Sequence, residues 1–128
     1  MEKFRIGEYT QRITEHFELS GKISSIAIAP DGAIYACSEN GLCRFKDGEW
    51  HKLFSDGVFS KVYCDKKGRI FASLDKILYE ITGDGANKVA EFEFSIVDLC
   101  GENEIYVLTQ HSLHVESAEG FFTLQQMD

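Results

Sequence analysis

The chain has 128 residues, a net charge of −8 and 44% hydrophobic residues, which is the profile of one ordinary globular domain. The acidic balance argues against nucleic-acid binding, whose affinity comes largely from a basic patch that neutralises phosphates. No run approaches the roughly 18 apolar residues of a membrane span, and the opening "MEKFRIGEYTQR" lacks the apolar core of a secretory signal, so the expected location is cytoplasmic.

Residues 1–20 read as a partial unit of one or two strands, since "FRIGEY" at 4–9 resembles "FKDGEW" at 45–50. A short helix over Thr10 to Phe17 is the alternative, because Ile13 and Phe17 are four apart. From residue 21 the grammar is strand, turn, strand. "ISSIAIAPDGAIYACSENGLCRF" (23–45) is followed by "FSKVYCDKKGRIFASLDKILYEI" (59–81) and "FSIVDLCGENEIYVLTQHSLHVE" (94–116), at offsets of 36 and 35 residues without gaps. First strands align Ile26, Val62 and Val97, then Ile28, Cys64 and Leu99. Turns align Asp31-Gly32, Lys67-Gly68 and Glu102-Asn103, residue types that suit tight hairpins. Second strands align Tyr35, Phe71 and Tyr106, and third strands align Leu42, Leu78 and Leu113. A fourth strand follows each copy, through Trp50 and Phe54, through "ANKVAEF", and through Phe121, Phe122 and Leu124. The spacing predicts an all-β chain of three four-stranded antiparallel meanders, at 21–56, 57–93 and 94–128, behind the partial unit at 1–20.

Such a meander repeating at this period is the pattern of a β-propeller blade. The first copy, with its Asp-Gly turn, apolar-aromatic second strand and Gly-Leu third strand, resembles the blades of two-component-regulator-type sensor propellers. NHL and gluconolactonase-like propellers are similar. The second and third copies depart from it, with Lys76-Ile77-Leu78 and His111-Ser112-Leu113 in place of the Asn-Gly-Leu step. The resemblance implies a single propeller-type domain. Closed rings have four to eight blades, so the expected partners include a second copy that closes the ring, or the remaining blades of a longer chain.

Propellers bind ligands near the central channel and in the loops at its mouth. Ser24, Ser60 and Ser95 form one column at the strand starts, and Glu39, Asp75 and Gln110 form another in the turns between second and third strands. Together they are the candidate ligand-binding residues. They read either as a polar mouth for a small molecule or as local hydrogen bonding that sets each blade's entry. Carboxylate and amide groups could hold a divalent cation, but only two carboxylates recur, Glu39 and Asp75. His111 and His114 stand three apart, which on a strand sends them to opposite faces. Lys66, Lys67 and Arg69 flank Gly68 and read as a solvated hairpin tip. Cys37, Cys43, Cys64 and Cys100 form no CxxC pair and read as reduced thiols at strand positions. No nucleophile–base motif or phosphate loop is visible. The sequence-level expectation is a non-catalytic module that binds a protein or small ligand, without a cofactor. A metal-dependent, lactonase-like hydrolase is the alternative.

Overall fold

The computed structural model describes residues 23–38, 41–54, 57–83 and 85–126. The expected partial unit at 1–20 and Glu39 lie outside these residues. Among the described residues, twelve strands form three four-stranded antiparallel sheets, each a meander in chain order. The first contains β1 (Ile23–Ile28), β2 (Ile34–Ser38), β3 (Gly41–Lys46) and β4 (Glu49–Phe54). The second contains β5 (Phe59–Cys64), β6 (Ile70–Leu74), β7 (Ile77–Thr82) and β8 (Gly85–Glu91). The third contains β9 (Ile96–Cys100), β10 (Tyr106–Thr109), β11 (Ser112–Ser117) and β12 (Gly120–Gln126). These sheets are β-propeller blades. Their first strands lie side by side, β1 against β5 and β5 against β9.

Alternation along each strand gives every blade a forward face, towards the next blade, and a rear face. Ala27, Tyr35, Cys37 and Leu42 on the forward face of the first blade share a core with Val62, Ile70, Ala72 and Ile81 on the rear of the second. Phe71 and Leu78 look forward from the second blade and meet Ile96, Leu99, Ile105 and Val107 of the third. Burying each such large apolar side chain contributes roughly 1.5–3 kcal/mol. These two interfaces therefore carry much of the stability.

One strand departs from the gapless repeat. Val62 pairs with Ala72 in the second blade, while Leu99 pairs with Val107 in the third, so Leu99, not Val97, is the structural equivalent of Val62. Burial agrees, with Val62 at 4% exposure, Leu99 at 5% and Val97 at 41%. The physical cause is the turn. Between positions that face the same way, residues 102–104 do the work that residues 65–69 do in the second blade. Gly101 makes the shorter turn possible, with a φ of 132° and a position where a Cβ would lie 1.9 Å from the Glu104 carbonyl oxygen. The β-bulge of the first strand follows the same slip. It falls at Ser24 and Ser60 in the first two blades but at Val97 in the third.

Candidate functional site

At the end of the blades where the first strands begin, the serine column splits. Ser24 Oγ donates to the Phe59 carbonyl of the next blade at 3.2 Å, and Ser60 Oγ lies 3.0 Å from Ser73 Oγ. Ser95 sits just before β9, outside the bulge column, and its hydroxyl donates to Asp75 Oδ1 across the blade junction. Asp75 holds a positive φ of 55° in the β6–β7 turn. Its carbonyl accepts the Ile96 amide at 2.8 Å, while the Lys76 carbonyl accepts Phe92 N–H at 2.9 Å. This turn thus anchors the first strand of the following blade. Gln110 holds the corresponding place in the third blade and is exposed; its backbone N–H donates to the Ser95 carbonyl at 3.2 Å. The structure therefore brings Ser95 and Asp75 together, and it places Ser24 and Ser60 in separate contacts.

Sequence reasoning missed Ser25, which ties the first two blades more closely than Ser24. Its hydroxyl accepts the Val62 amide at 3.1 Å and lies 3.4 Å from the Val62 carbonyl. The two histidines sit apart. The His111 ring meets Phe94 edge-on at 4.6 Å, whereas His114 packs on Phe92 at the same distance. His114 Nε2 lies 2.7 Å from Ser112 Oγ, and burial lowers its pKa, favouring the neutral ring. Among the described residues, no group of His, Cys, Asp and Glu is placed to hold a metal ion. Cys37 and Cys43 are buried, Cys64 is half-buried and Cys100 is exposed. Burial, with the neighbouring Cys43 adding to it, pushes the Cys37 thiol up to about 12, so it stays an inert thiol at neutral pH.

The opposite end of the blades carries a charged cluster. Asp65 follows β5, and its side chain is 0% exposed. Its Oδ1 accepts the amides of Lys67 at 3.0 Å and Arg69 at 2.8 Å, and its Oδ2 accepts Arg69 Nε at 2.7 Å. The same guanidinium reaches into the third blade, where Nη1 and Nη2 hold both oxygens of Glu116 at 2.6 and 2.8 Å. Nη2 also donates to the Asn103 carbonyl at 3.2 Å, and the guanidinium carbon lies 5.1 Å from the centre of the Phe71 ring. Hydrogen bonds from Arg69 hold the Glu116 carboxyl below its ordinary range, against the opposing effect of burial. Arg69 is raised correspondingly, first through Glu116 and then through Asp65. The Tyr63 hydroxyl donates to the Gly101 carbonyl, and the Lys66 amide donates to Glu102 O at 3.0 Å. The expectation of a solvated tip thus fails for Arg69, whose side chain is mostly covered and locks two blades together. Its partner Glu116 lies 47 residues away, a separation at which no local pattern points to a pair.

Over this cluster lies a cleft of about 450 Å³ lined by Lys67, Arg69, Asn103, Glu104, Glu116, Ser117 and Ala118. Arg69 and Glu116 form its fixed floor. The side chains of Lys67, Asn103 and Glu104 stand exposed at its rim, offering an ammonium, an amide and a carboxylate.

No family model matches the chain, and no curated protein matches it. Solved structures do match. The extracellular domain of the putative one-component system BT4673 from B. thetaiotaomicron aligns with a TM-score of 0.69 and 21% identity, over 84% of this chain and 16% of that one. YCF48 bound to D1 peptide aligns at 0.63 and 11% identity, over 80% of this chain and 40% of that one. A putative gluconolactonase aligns at 0.57 and 17% identity, over 84% and 41% respectively. These neighbours share the propeller fold with this chain. The chain spans less than half the length of each.

Proposed function

We propose that the chain is a non-catalytic β-propeller module that recognises a protein segment or a small polar ligand, seated in the cleft between the second and third blades. The cleft itself carries this reading. Its floor is held by the bidentate Arg69–Glu116 pair, so the rim groups Lys67, Asn103 and Glu104 stand on a preorganised base. An ammonium, a carboxylate and an amide side by side suit a ligand with both signs of charge and amide groups, which is the chemistry of a stretch of polypeptide. Among the neighbours, YCF48 was solved with a bound peptide.

Titrating isotope-labelled protein with a panel of short peptides, free and amidated at the C-terminus, tests the proposal. Amide resonances of Lys67, Asn103, Glu104 and Ser117 are expected to move. Shifts confined to Ser60, Asp75, Ser95 and Gln110 would put the seat at the opposite end of the blades and overturn the cleft assignment. The competing reading, a metal-dependent lactonase-like hydrolase, is tested on the same sample. Calcium or zinc added to metal-stripped protein is expected to leave the melting temperature unchanged; a rise of several degrees would favour the hydrolase.

A further inference from the structure

The two blade junctions share a backbone plan and differ in chemistry. In the second blade the Asp65 amide donates to the Arg69 carbonyl, and the Gly68 amide donates to the Asp65 carbonyl. In the first blade the Ala29 amide donates to the Ala33 carbonyl, and the Gly32 amide donates to the Ala29 carbonyl. Ala29 and Ala33 therefore hold the places of Asp65 and Arg69. Ile81 holds the place of Glu116, since each stands one residue before the pair that closes its hairpin, Thr82 with Gly85 or Ser117 with Gly120. At the first junction Ala33 and Ile81 are buried in one apolar cluster, and Ala29 packs against it. Stacking two of these blades thus needs no charge at this position. A buried ion pair is often replaceable by well-packed apolar groups at no loss. The ionic set at the second junction, with the cleft above it, has a use other than stacking.

The charges in and under the cleft do not balance. Arg69 is one cation held between two carboxylates, Asp65 and Glu116. Lys67 acts on Glu116 through space and helps to hold its carboxyl low. That ammonium offsets the surplus of the buried set, and the Glu104 carboxylate at the rim is left over. Among the described residues, neither Lys67 nor Glu104 forms an ion pair. Glu104 closes the tight turn that starts at Gly101, and Asn103 beside it is exposed. The Lys66 amide ties this turn to the second blade through the Glu102 carbonyl. The surplus carboxylate is therefore presented from a fixed base.

From this we infer that the cleft takes a positively charged group, an ammonium or a guanidinium, met by Glu104 with the Asn103 side-chain oxygen as a second acceptor. The inference rests on the cleft reading proposed above and gives the ligand its charge. The net charge of −8 draws cations towards the chain. A lysine or arginine of a polypeptide and a small polyamine both offer this chemistry.

Labelled protein titrated with three capped tripeptides, Ala-Lys-Ala, Ala-norleucine-Ala and Ala-Glu-Ala, and with spermidine tests it. The lysine peptide is expected to move the Lys67, Asn103, Glu104 and Ser117 amides with about fivefold higher affinity than the other two peptides. That preference is expected to shrink as salt rises. Glu104→Gln changes an exposed side chain, so the variant is expected to keep the wild-type melting temperature and to lose most of the preference. Spermidine binding as tightly as the lysine peptide assigns the cation to a small amine, and weaker spermidine binding assigns it to a polypeptide; either result supports the inference. Equal binding of the three peptides at these amides, or tighter binding of the glutamate peptide, would overturn the inference and leave the cleft as the seat. So would a preference that persists undiminished in Glu104→Gln. Silence of these amides towards all four probes would overturn the cleft reading as well.

Discussion

Replacing Arg69 with methionine is expected to lower stability by about 3 kcal/mol, a fall in melting temperature of roughly 10 °C for a domain of this size. Methionine keeps much of the apolar stem over Phe71 but removes the charge that satisfies two carboxylates in different blades. Asp65 is fully covered, and a buried charge that loses its partner costs far more than the net worth of the pair. Two backbone amides still reach Asp65 Oδ1, which keeps the loss towards the lower end of the range for buried pairs. The loss must also depend on pH. Glu116 has a folded pKa below its ordinary 4.5 because Arg69 hydrogen-bonds it. Its contribution is therefore fully present above pH 4.5 and disappears as pH falls through the folded value. Denaturant melts at pH 7 and pH 3 are expected to show a smaller acid loss in Arg69→Met than in the wild type, because Glu116 no longer has a depressed pKa to lose. Equal acid sensitivity would mean that the pair is not formed in solution. Adding Glu116→Gln to the variant is expected to recover part of the stability.

Gly101→Ala is expected to cost about 3 kcal/mol or more. An alanine there meets two separate penalties. Its φ of 132° lies in a region that L side chains rarely adopt, and its Cβ would stand 1.9 Å from the Glu104 carbonyl oxygen, a backbone atom that cannot rotate away. The turn must open to admit the methyl group. Opening it also moves the Gly101 carbonyl, which accepts the Tyr63 hydroxyl from the second blade. Gly32→Ala is the matched control. Gly32 has a φ of 90° with open space around its Cβ position, so only the conformational penalty remains, about 1–2 kcal/mol. Thermal melts of the two variants should separate by several degrees. Equal losses would show that the Gly101 turn is not the tight one described here.

The repeat was legible because each copy spends the same residue types on the same tasks. Glycine after a charged residue closes the first hairpin at Gly32 and Gly68, and a leucine anchors each third strand at Leu42, Leu78 and Leu113. The register of β9 was not legible. Val97 and Leu99 are both apolar and two apart, so alternation accepts either as the inward residue. Only the tightness of the turn at Gly101 decides between them, and tightness is a backbone property that residue type merely permits. The misread register also drew Ser95 into a column with Ser24 and Ser60, although Val97 is the residue at the third bulge. Ser95 instead meets Asp75, a candidate drawn from a different column. The charged junction stayed hidden for another reason. Asp65, Arg69 and Glu116 look like ordinary surface charges until two blades stack, and stacking brings together residues with no local relation in the chain.

The slipped first strand of the third blade decides which residue of β9 packs into the junction with the second blade, so its register is the most direct test. Proton–proton contacts across β9 and β10 read it without any substitution. The structure predicts contacts between Leu99 and Val107, with Cys100 opposite Tyr106. Contacts between Val97 and Val107 would instead mean that the repeat runs without a slip, and would contradict both the tight Gly101 turn and the burial of Leu99 in place of Val97.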